Sequence, residues 1–205
     1  SLAPRAILAL LSALPNASVE VVEGPMDRLF HQLARREIDI AVGRPSAKYH
    51  DPDTASEPLY EERLHFAVRQ GHALAARRQL QWPDLFNHRW VVWTRDIPVR
   101  DLLETAVAAE GWAIPGNSLQ SNSLLATIAL VAESDMIAVV SERSIELHEL
   151  MKTLRRLRFY LETQSAVTMY WRKDAVSSAA VHKLLDALRG VARAPASKQI
   201  GRAHV

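Results

Sequence analysis

The chain of 205 residues contains no cysteine. This absence excludes disulfide bonds, zinc or iron–sulfur sites built on cysteine, and a cysteine nucleophile. It also excludes a sensor that works by thiol oxidation. A chain without cysteine is compatible with the reducing cytoplasm, and a cytoplasmic location is therefore our expectation.

Long apolar runs are missing as well. No run reaches the roughly 18 consecutive apolar residues that a membrane-spanning helix needs, so no membrane partner is expected. The first ten residues hold Pro4 and Arg5 inside their apolar stretch, which is not the pattern of a signal peptide. Hydrophobic residues make up 48% of the chain and charged residues 23%, a balance typical of a globular protein with a core.

A strong charge of one sign is also absent. The formal net charge is +2, but three basic residues and no acidic residue lie after Gly190, so residues 1–190 carry a charge of −1. A body so close to neutral has no electrostatic footprint for nucleic acid, and the chain is not expected to bind DNA by itself. Residues 200–205 resemble sequencing-adapter read-through, and we expect residues 196–205 to be a non-native or disordered tail; a natural flexible tail is the alternative.

Catalytic and cofactor motifs are missing too. The chain has no G-x-S-x-G nucleophile elbow, no H-E-x-x-H metal motif and no G-x-G-x-x-G dinucleotide fingerprint. The segment 111–116 has the glycine spacing of a phosphate-binding loop, but Asn117 stands where the essential lysine would be. The eight histidines show no regular ligand spacing. We therefore expect no metal, no cofactor and no enzymatic activity.

What the chain does contain is an alternation of helical stripes and short apolar runs. The runs at residues 90–93 and 136–140 are continuous, and only Asp39 interrupts the run at residues 38–42, which is typical of parallel strands covered by helices on both faces. Val19, Val21 and Val22 predict a further short strand, and residues 166–171 another. The pattern predicts an α/β fold.

Ligands in such folds bind beyond the carboxyl ends of strands and at helix N-termini. This rule directs attention to five places before any family is considered. They are Ser1, Gly24 with Pro25, Arg44, residues 93–98 and residues 121–123.

Six segments, in order, resemble the effector-binding domain of LysR-type transcriptional regulators. These segments are residues 22–25, 33–44, 57–60, 68–74, 120–123 and 134–140. The resemblance extends almost over the whole chain, up to Arg189. The Gly-Pro at residue 24 and the Asn-Ser at residue 122 are similar to the branch of sugar-responsive and aromatic-catabolism regulators. The Val140-Ser141 pair departs from the family's usual Leu-Pro.

The resemblance implies two Rossmann-like subdomains with a cleft between them, as in type 2 periplasmic binding proteins. Residues 1–60 with 164–195 would form the first subdomain and residues 61–163 the second. A small effector, which would be a carboxylate, an aromatic or a sugar-derived metabolite, would bind in the cleft. The family implies a homodimer or homotetramer. It contacts DNA through an N-terminal winged helix-turn-helix that these 205 residues lack, and its first domain strand would end just before Ser1.

The resemblance also assigns the effector contacts. They are Ser1, Leu2, Gly24, Pro25, Arg44, Trp93, Thr94, Arg95, Asn122 and Ser123. Polar groups at helix starts suit a carboxylate or hydroxyl, a guanidinium pairs with an anion, and an indole offers a flat apolar wall. Each has a purely structural alternative, in which Ser1 is only a helix cap, Arg44 only a surface ion pair and Trp93 only core.

The function expected from these observations is small-molecule sensing that controls transcription. A solute-binding protein of a transport system shares the architecture and is the first alternative. A small α/β enzyme is the second, and turnover of a metabolite would distinguish it.

Overall fold

The structure, a computed structural model, describes residues 2–44 and 51–194, apart from the side chains of residues 163 and 164. The chain divides into two compact units. Unit 1 comprises Ser1–Glu61 and Ala166–Val205, and unit 2 comprises Glu62–Ser165. No helix among the described residues is both long and apolar enough to cross a membrane.

Unit 1 packs helices on both faces of a short strand. Its elements are α1 (Leu2–Ala13), α2 (Met26–Ala34), β1 (Ile40–Gly43), the first part of β2 (Thr54–Arg69), the last part of β6 (Leu154–Arg172), a 3₁₀ turn (Lys173–Ser177) and α7 (Ala179–Arg193). Strand β1 pairs antiparallel with β6. Ile40 and Val42 pack toward the core shared by α1 and α7, whereas Ala41 joins the core beneath α2. Because successive side chains leave a strand on opposite faces, both faces of β1 are covered.

The helices of unit 1 follow from apolar spacing. In α7 the buried residues recur at helical intervals, at Val181, Leu185, Leu188 and Ala192. In α2 the apolar stripe predicted by that spacing is buried, with Leu33 fully inaccessible. The unit is therefore held by amphipathic helices that bury one stripe each.

Unit 2 contains the strand order β6, β2, β5, β3, β4, to which β6 contributes its first part and β2 its last part. Its further elements are a 3₁₀ turn (Ala73–Ala76), α3 (Trp82–Phe86), β3 (Trp90–Trp93), α4 (Pro98–Ala109), β4 (Leu119–Ser121), α5 (Leu124–Ala132), β5 (Ile137–Ser141) and α6 (Glu142–Leu150). Strand β3 pairs parallel with β4 and β5, and β2 pairs antiparallel with β5. Val91 and Val92 enter different apolar cores, one on each face of the sheet. The continuous apolar runs are therefore explained by burial on both faces.

The α/β fold class is confirmed, but two expectations about strands are wrong. Parallel pairing is confined to β3, β4 and β5 among the described pairs, because β1 and β2 join the neighbouring strands in antiparallel register. Residues 19–22 form no strand, since they make no backbone hydrogen bond to another segment in the described part of the chain. Apolar β-branched composition favours a strand, but a strand also needs a neighbouring strand with which it exchanges backbone hydrogen bonds.

Strands β2 and β6 are longer than the sequence pattern indicated. Residues 154–161 looked mixed because Arg155 and Arg158 interrupt the apolar residues, whereas the structure shows one strand from Leu154 to Arg172. Leu154, Leu157 and Leu161 are buried, and the two arginines face solvent. Leu154 joins one core and Leu157 and Leu161 join the other, and the charged residues between them hide the strand from a search for continuous apolar runs.

Unit 2 also buries a histidine. The ring of His72 is inaccessible, its Nδ1 accepts a hydrogen bond from the Leu74 amide at 3.1 Å, and it lies 4.8 Å from the ring of His88. Burial, and then the proximity of His88, lower the pKa of His72. Burial lowers the pKa values of His65 and His148 as well. All three rings therefore resist protonation in the folded chain.

The free energy of unfolding is predicted to fall as the pH drops through about 6.5. In that range the histidines of the unfolded chain bind protons, whereas the buried rings of the folded chain do not. His72→Gln removes part of this dependence, so urea unfolding at pH 7.5 and pH 5.5 will show a smaller difference than in the parent chain. An undiminished pH dependence in His72→Gln would contradict the assignment.

Two glycines predict stability changes of opposite sign. A Cβ at Gly43 would meet the sulfur of buried Met26, so Gly43→Ala forces Met26 to repack and costs about 1–3 kcal/mol. A Cβ at Gly190 in α7 meets nothing within 4 Å, so Gly190→Ala stabilises the helix by about 0.5–1 kcal/mol. Urea unfolding measures both, and changes of equal sign would show that the Met26 contact is unimportant.

Candidate functional site

The carboxyl ends of β3 and β4 coincide in unit 2. Their parallel register pairs Trp93 with Ser121, so Thr94 and Asn122 leave the sheet side by side at the same edge. Helix α4 begins a few residues after Thr94, and α5 begins directly after Ser123. Two helix N-termini, with their partial positive charge and free amides, therefore follow two adjacent strand ends.

Ser123 and Asn122 have different roles at this edge. The hydroxyl of Ser123 accepts a hydrogen bond from the Ala126 amide at 3.2 Å and so caps α5. The Ser123 amide donates to Ser121 Oγ at 3.1 Å. Asn122 is exposed and has no partner among the described residues. Ser123 thus fixes the start of the helix, and Asn122 is left available.

The segment 93–95 is anchored on one side and open on the other. The indole Nε1 of Trp93 donates to the Val139 carbonyl at 2.9 Å, and the ring packs against the core. The hydroxyl of Thr94 is buried and has no hydrogen-bond partner in the described part of the chain. A buried hydroxyl without a partner is costly, and such a group invites a ligand or water.

Arg100 was missed by the sequence reasoning and holds this segment in place. Its side chain is 6% exposed, and its Nη1 donates to the Trp93 carbonyl at 3.3 Å. Its Nε donates to Glu104 Oε1 at 2.7 Å, and this bond lowers the pKa of Glu104. Arg95 lies 3.6 Å from the same carboxylate but is 74% exposed. Arg100 and Glu104 lie four residues apart on a predicted helix, and this spacing could have indicated their ion pair from the sequence.

The candidate residues of unit 1 lie at the starts of helices and at a strand end. Leu2 is the first residue of α1, and its side chain is core, so only its backbone is suited to a ligand. Pro25 occupies the N-cap position of α2 without a side-chain cap. Arg44 directly follows β1, and the contact of Gly43 with Met26 brings it close to the start of α2. Ser1 lies outside the described residues.

Gly24 borders a different feature, a groove lined also by residues of α1 and α7. The structure thus brings the strand-end residues of unit 2 together, and in unit 1 it packs Gly43, which precedes Arg44, against Met26, which follows Pro25. In the part of the chain that is described, no group of three or more histidine and acidic side chains is arranged to hold a metal ion.

Solved regulatory domains share this fold. The regulatory domain of CcmR from Synechocystis PCC6803, in complex with 2-PG, superposes with a TM-score of 0.74 at 16% identity, covering 93% of this chain and 90% of that one. The effector-binding domain of QuiR, in complex with shikimate, gives 0.72 at 15% identity, covering 91% and 88%. The periplasmic-binding-protein-like α/β fold is thereby confirmed.

The chain belongs to the LysR substrate binding domain family, whose model matches residues 1–193. The HTH-type transcriptional regulator GalR of Pseudomonas putida KT2440 is 29% identical to it over 189 residues, which cover 92% of this chain and 47% of the regulator. The HTH-type regulator PcaQ of Agrobacterium fabrum is 27% identical over 139 residues, covering 68% and 45%. The chain therefore spans about half the length of the curated relatives that it matches.

Arg95 and Arg100 both approach the Glu104 carboxylate, but their removal is predicted to lower the free energy of unfolding by unequal amounts. Arg100→Met breaks the buried bonds to Glu104 and to the Trp93 carbonyl and lowers the free energy of unfolding by about 2–3 kcal/mol. Arg95→Met removes an exposed ion pair and costs at most about 0.5 kcal/mol. Urea unfolding followed by tryptophan fluorescence compares them, and equal costs would refute the anchoring role of Arg100.

Proposed function

We propose that this chain is the effector-sensing part of a LysR-type transcriptional regulator and that its effector binds at the strand ends of unit 2. The observation that supports the proposal most directly is the edge where β3 and β4 end together. There, the unpartnered hydroxyl of Thr94 and the free side chain of Asn122 accompany the N-termini of α4 and α5. Trp93 supplies an apolar surface, and Arg95 supplies a charge near the opening.

The chemistry of these groups favours an anionic, hydroxylated effector. Helix N-termini attract anions, and a hydroxyl and an amide exchange hydrogen bonds with ligand hydroxyls. From unit 1 the proposal adds Arg44 as the cation, together with the backbone at Leu2, Gly24 and Pro25 and with Ser1. The compounds in the CcmR and QuiR complexes motivate the same choice of ligand class. Carboxylates among aromatic and sugar-derived metabolites are the ones to test first.

Binding without turnover is the activity that these residues suit. The strand-end residues 93–95 and 121–123 carry no carboxylate, and Glu104, which faces Arg95, is engaged by Arg100. No nucleophile is held against a base at this edge among the described residues, which is what covalent catalysis needs. We propose that the protein senses its ligand in the cytoplasm and does not transform it.

In the regulator, ligand binding would act by shifting an equilibrium between two states. A ligand shifts such an equilibrium only by the ratio of its affinities for the two states. Control of transcription would further require a DNA-binding domain and assembly into a homodimer or homotetramer. These partners are part of the proposal and rest on the family and on the relatives.

A thermal-shift screen of aromatic, hydroxylated and sugar-derived carboxylates, with shikimate included, tests the proposal. We expect at least one compound to raise Tm, and its affinity to fall about tenfold or more in Arg44→Ala, Thr94→Val and Asn122→Ala, because each removes a hydrogen bond to a charged or polar ligand group.

Asn117→Ala is the matched control, because Asn117 is exposed in the turn before β4, whereas Asn122 follows its carboxyl end. We expect the Asn117→Ala variant to bind the compound with the same affinity as the parent chain. A compound whose affinity is unaffected at Arg44, Thr94 and Asn122 would defeat this placement, and turnover of the compound would defeat the assignment as a sensor.

A further inference from the structure

The first part of strand β6 forms an open edge of the sheet in unit 2. Strand β6 lies between β1 and β2, and β1 pairs with it at residues 168–171. Residues 154–162 therefore have β2 on one side and, among the described strands, no strand on the other. An edge of this kind presents backbone N–H and C=O groups on which another strand can add.

Two hydrogen bonds show which backbone groups face outward. The Gln70 amide, directly after β2, donates to the Thr153 carbonyl at 3.4 Å, whereas the Arg156 amide donates to Glu149 Oε1 at 3.0 Å. Odd-numbered residues of this stretch thus face β2 and even-numbered residues face away from it, because alternate residues of a strand point the same way. The Arg156 amide is already occupied, so the open backbone groups belong to residues 158, 160 and 162.

The two faces of the sheet beside this edge differ in chemistry. Phe159 and Leu161 belong to the apolar face, where the partly buried ring of Phe159 lies 5.0 Å from that of Trp82. Arg158 and Tyr160 lie on the opposite face, because successive side chains alternate along a strand. A strand added at this edge would continue both faces, so apolar and polar residues should alternate along it.

The polar face of the edge carries positive charge that no acidic group neutralises. Arg158 and the neighbouring Arg155 are exposed, and neither makes a side-chain hydrogen bond or an ion pair within the described part of the chain. The guanidinium of Arg63 lies 5.2 Å from the centre of the Tyr160 ring, which is 47% exposed. Glu162 is the acidic residue of this stretch and lies at its far end. Carboxylates of an added strand would complement this face.

We infer that the open edge of β6 binds an extended peptide in which acidic and apolar residues alternate. Its backbone would pair with residues 158–162, as in recognition by strand addition, with the acidic side chains toward Arg158 and Arg63 and the apolar ones beside Phe159. A second copy of this edge would bring arginine against arginine, which opposes pairing. Nucleic acid would contact the arginines but leave the backbone groups unpaired.

The test uses the whole chain and a fluorescein-labelled peptide of sequence EVEVEVE, with binding followed by fluorescence anisotropy. We expect saturable binding, together with slower hydrogen exchange at the amides of residues 158–162. The peptide EEVVVEE has the same composition without the alternation. A form of EVEVEVE methylated on two successive central amide nitrogens keeps the charge but loses an N–H that would face β6 in either register. Both controls are expected to bind at least tenfold more weakly.

Exposed charges of unit 2 provide the matched variants. Arg158→Glu weakens binding of EVEVEVE by roughly three- to tenfold, and Glu162→Lys strengthens it by roughly two- to fivefold, because they reverse the charge beside the peptide. Arg89→Glu is the control at an exposed residue just before β3, which β2 and β5 separate from β6. Three strand spacings amount to about 14 Å, which exceeds the screening length of about 8 Å, so its affinity stays unchanged.

Three results would overturn the inference. They are no saturable binding of EVEVEVE, equal binding of either control peptide, and exchange protection outside the edge of β6. A DNA duplex that binds as tightly as the peptide and is lost in Arg158→Glu, without exchange protection, would instead assign the arginines to nucleic acid. The edge shares no residue with Thr94 or Asn122, so failure of this test leaves the proposed effector site untouched, and the reverse also holds.

Discussion

Strand β3 is covered on both faces and has no polar side chain along its length, and the arrangement of the candidate site depends on that constraint. Val91 and Val92 enter different cores, so β3 is apolar on both sides. Polar groups can then appear only where a strand ends, and there Thr94 and Asn122 follow two neighbouring strands. The packing that excludes polar side chains from the strand thus leaves them at one edge of the sheet, next to helix N-termini.

Local pattern was a good guide wherever an element is determined by its own residues. The runs at 90–93 and 136–140, and the helical stripes of α2 and α7, all lie close to the predicted positions. The pattern failed where structure depends on a distant partner. Residues 19–22 have strand composition but no ladder, and Arg155 and Arg158 interrupt the apolar residues of the long strand β6.

The candidate site was predictable to a similar extent. The positions of Thr94 and Asn122 follow from where the strands end, whereas their proximity follows from a register that no local pattern encodes. The contact of Arg100 with the Trp93 carbonyl is likewise tertiary, and it links the strand-end segment to α4. Rigid support lowers the ordering cost of binding, so a buried arginine that touches no ligand still matters for recognition.

A map of amide chemical-shift changes in ¹⁵N-labelled protein, titrated with a compound from the screen, tests the central claim most directly. If the strand ends hold the effector, the largest changes will fall at residues 93–95 and 122–124 of unit 2 and around Pro25 and Arg44 of unit 1. Changes concentrated instead in the groove beside residues 19–22, or spread evenly over the chain, would contradict the claim.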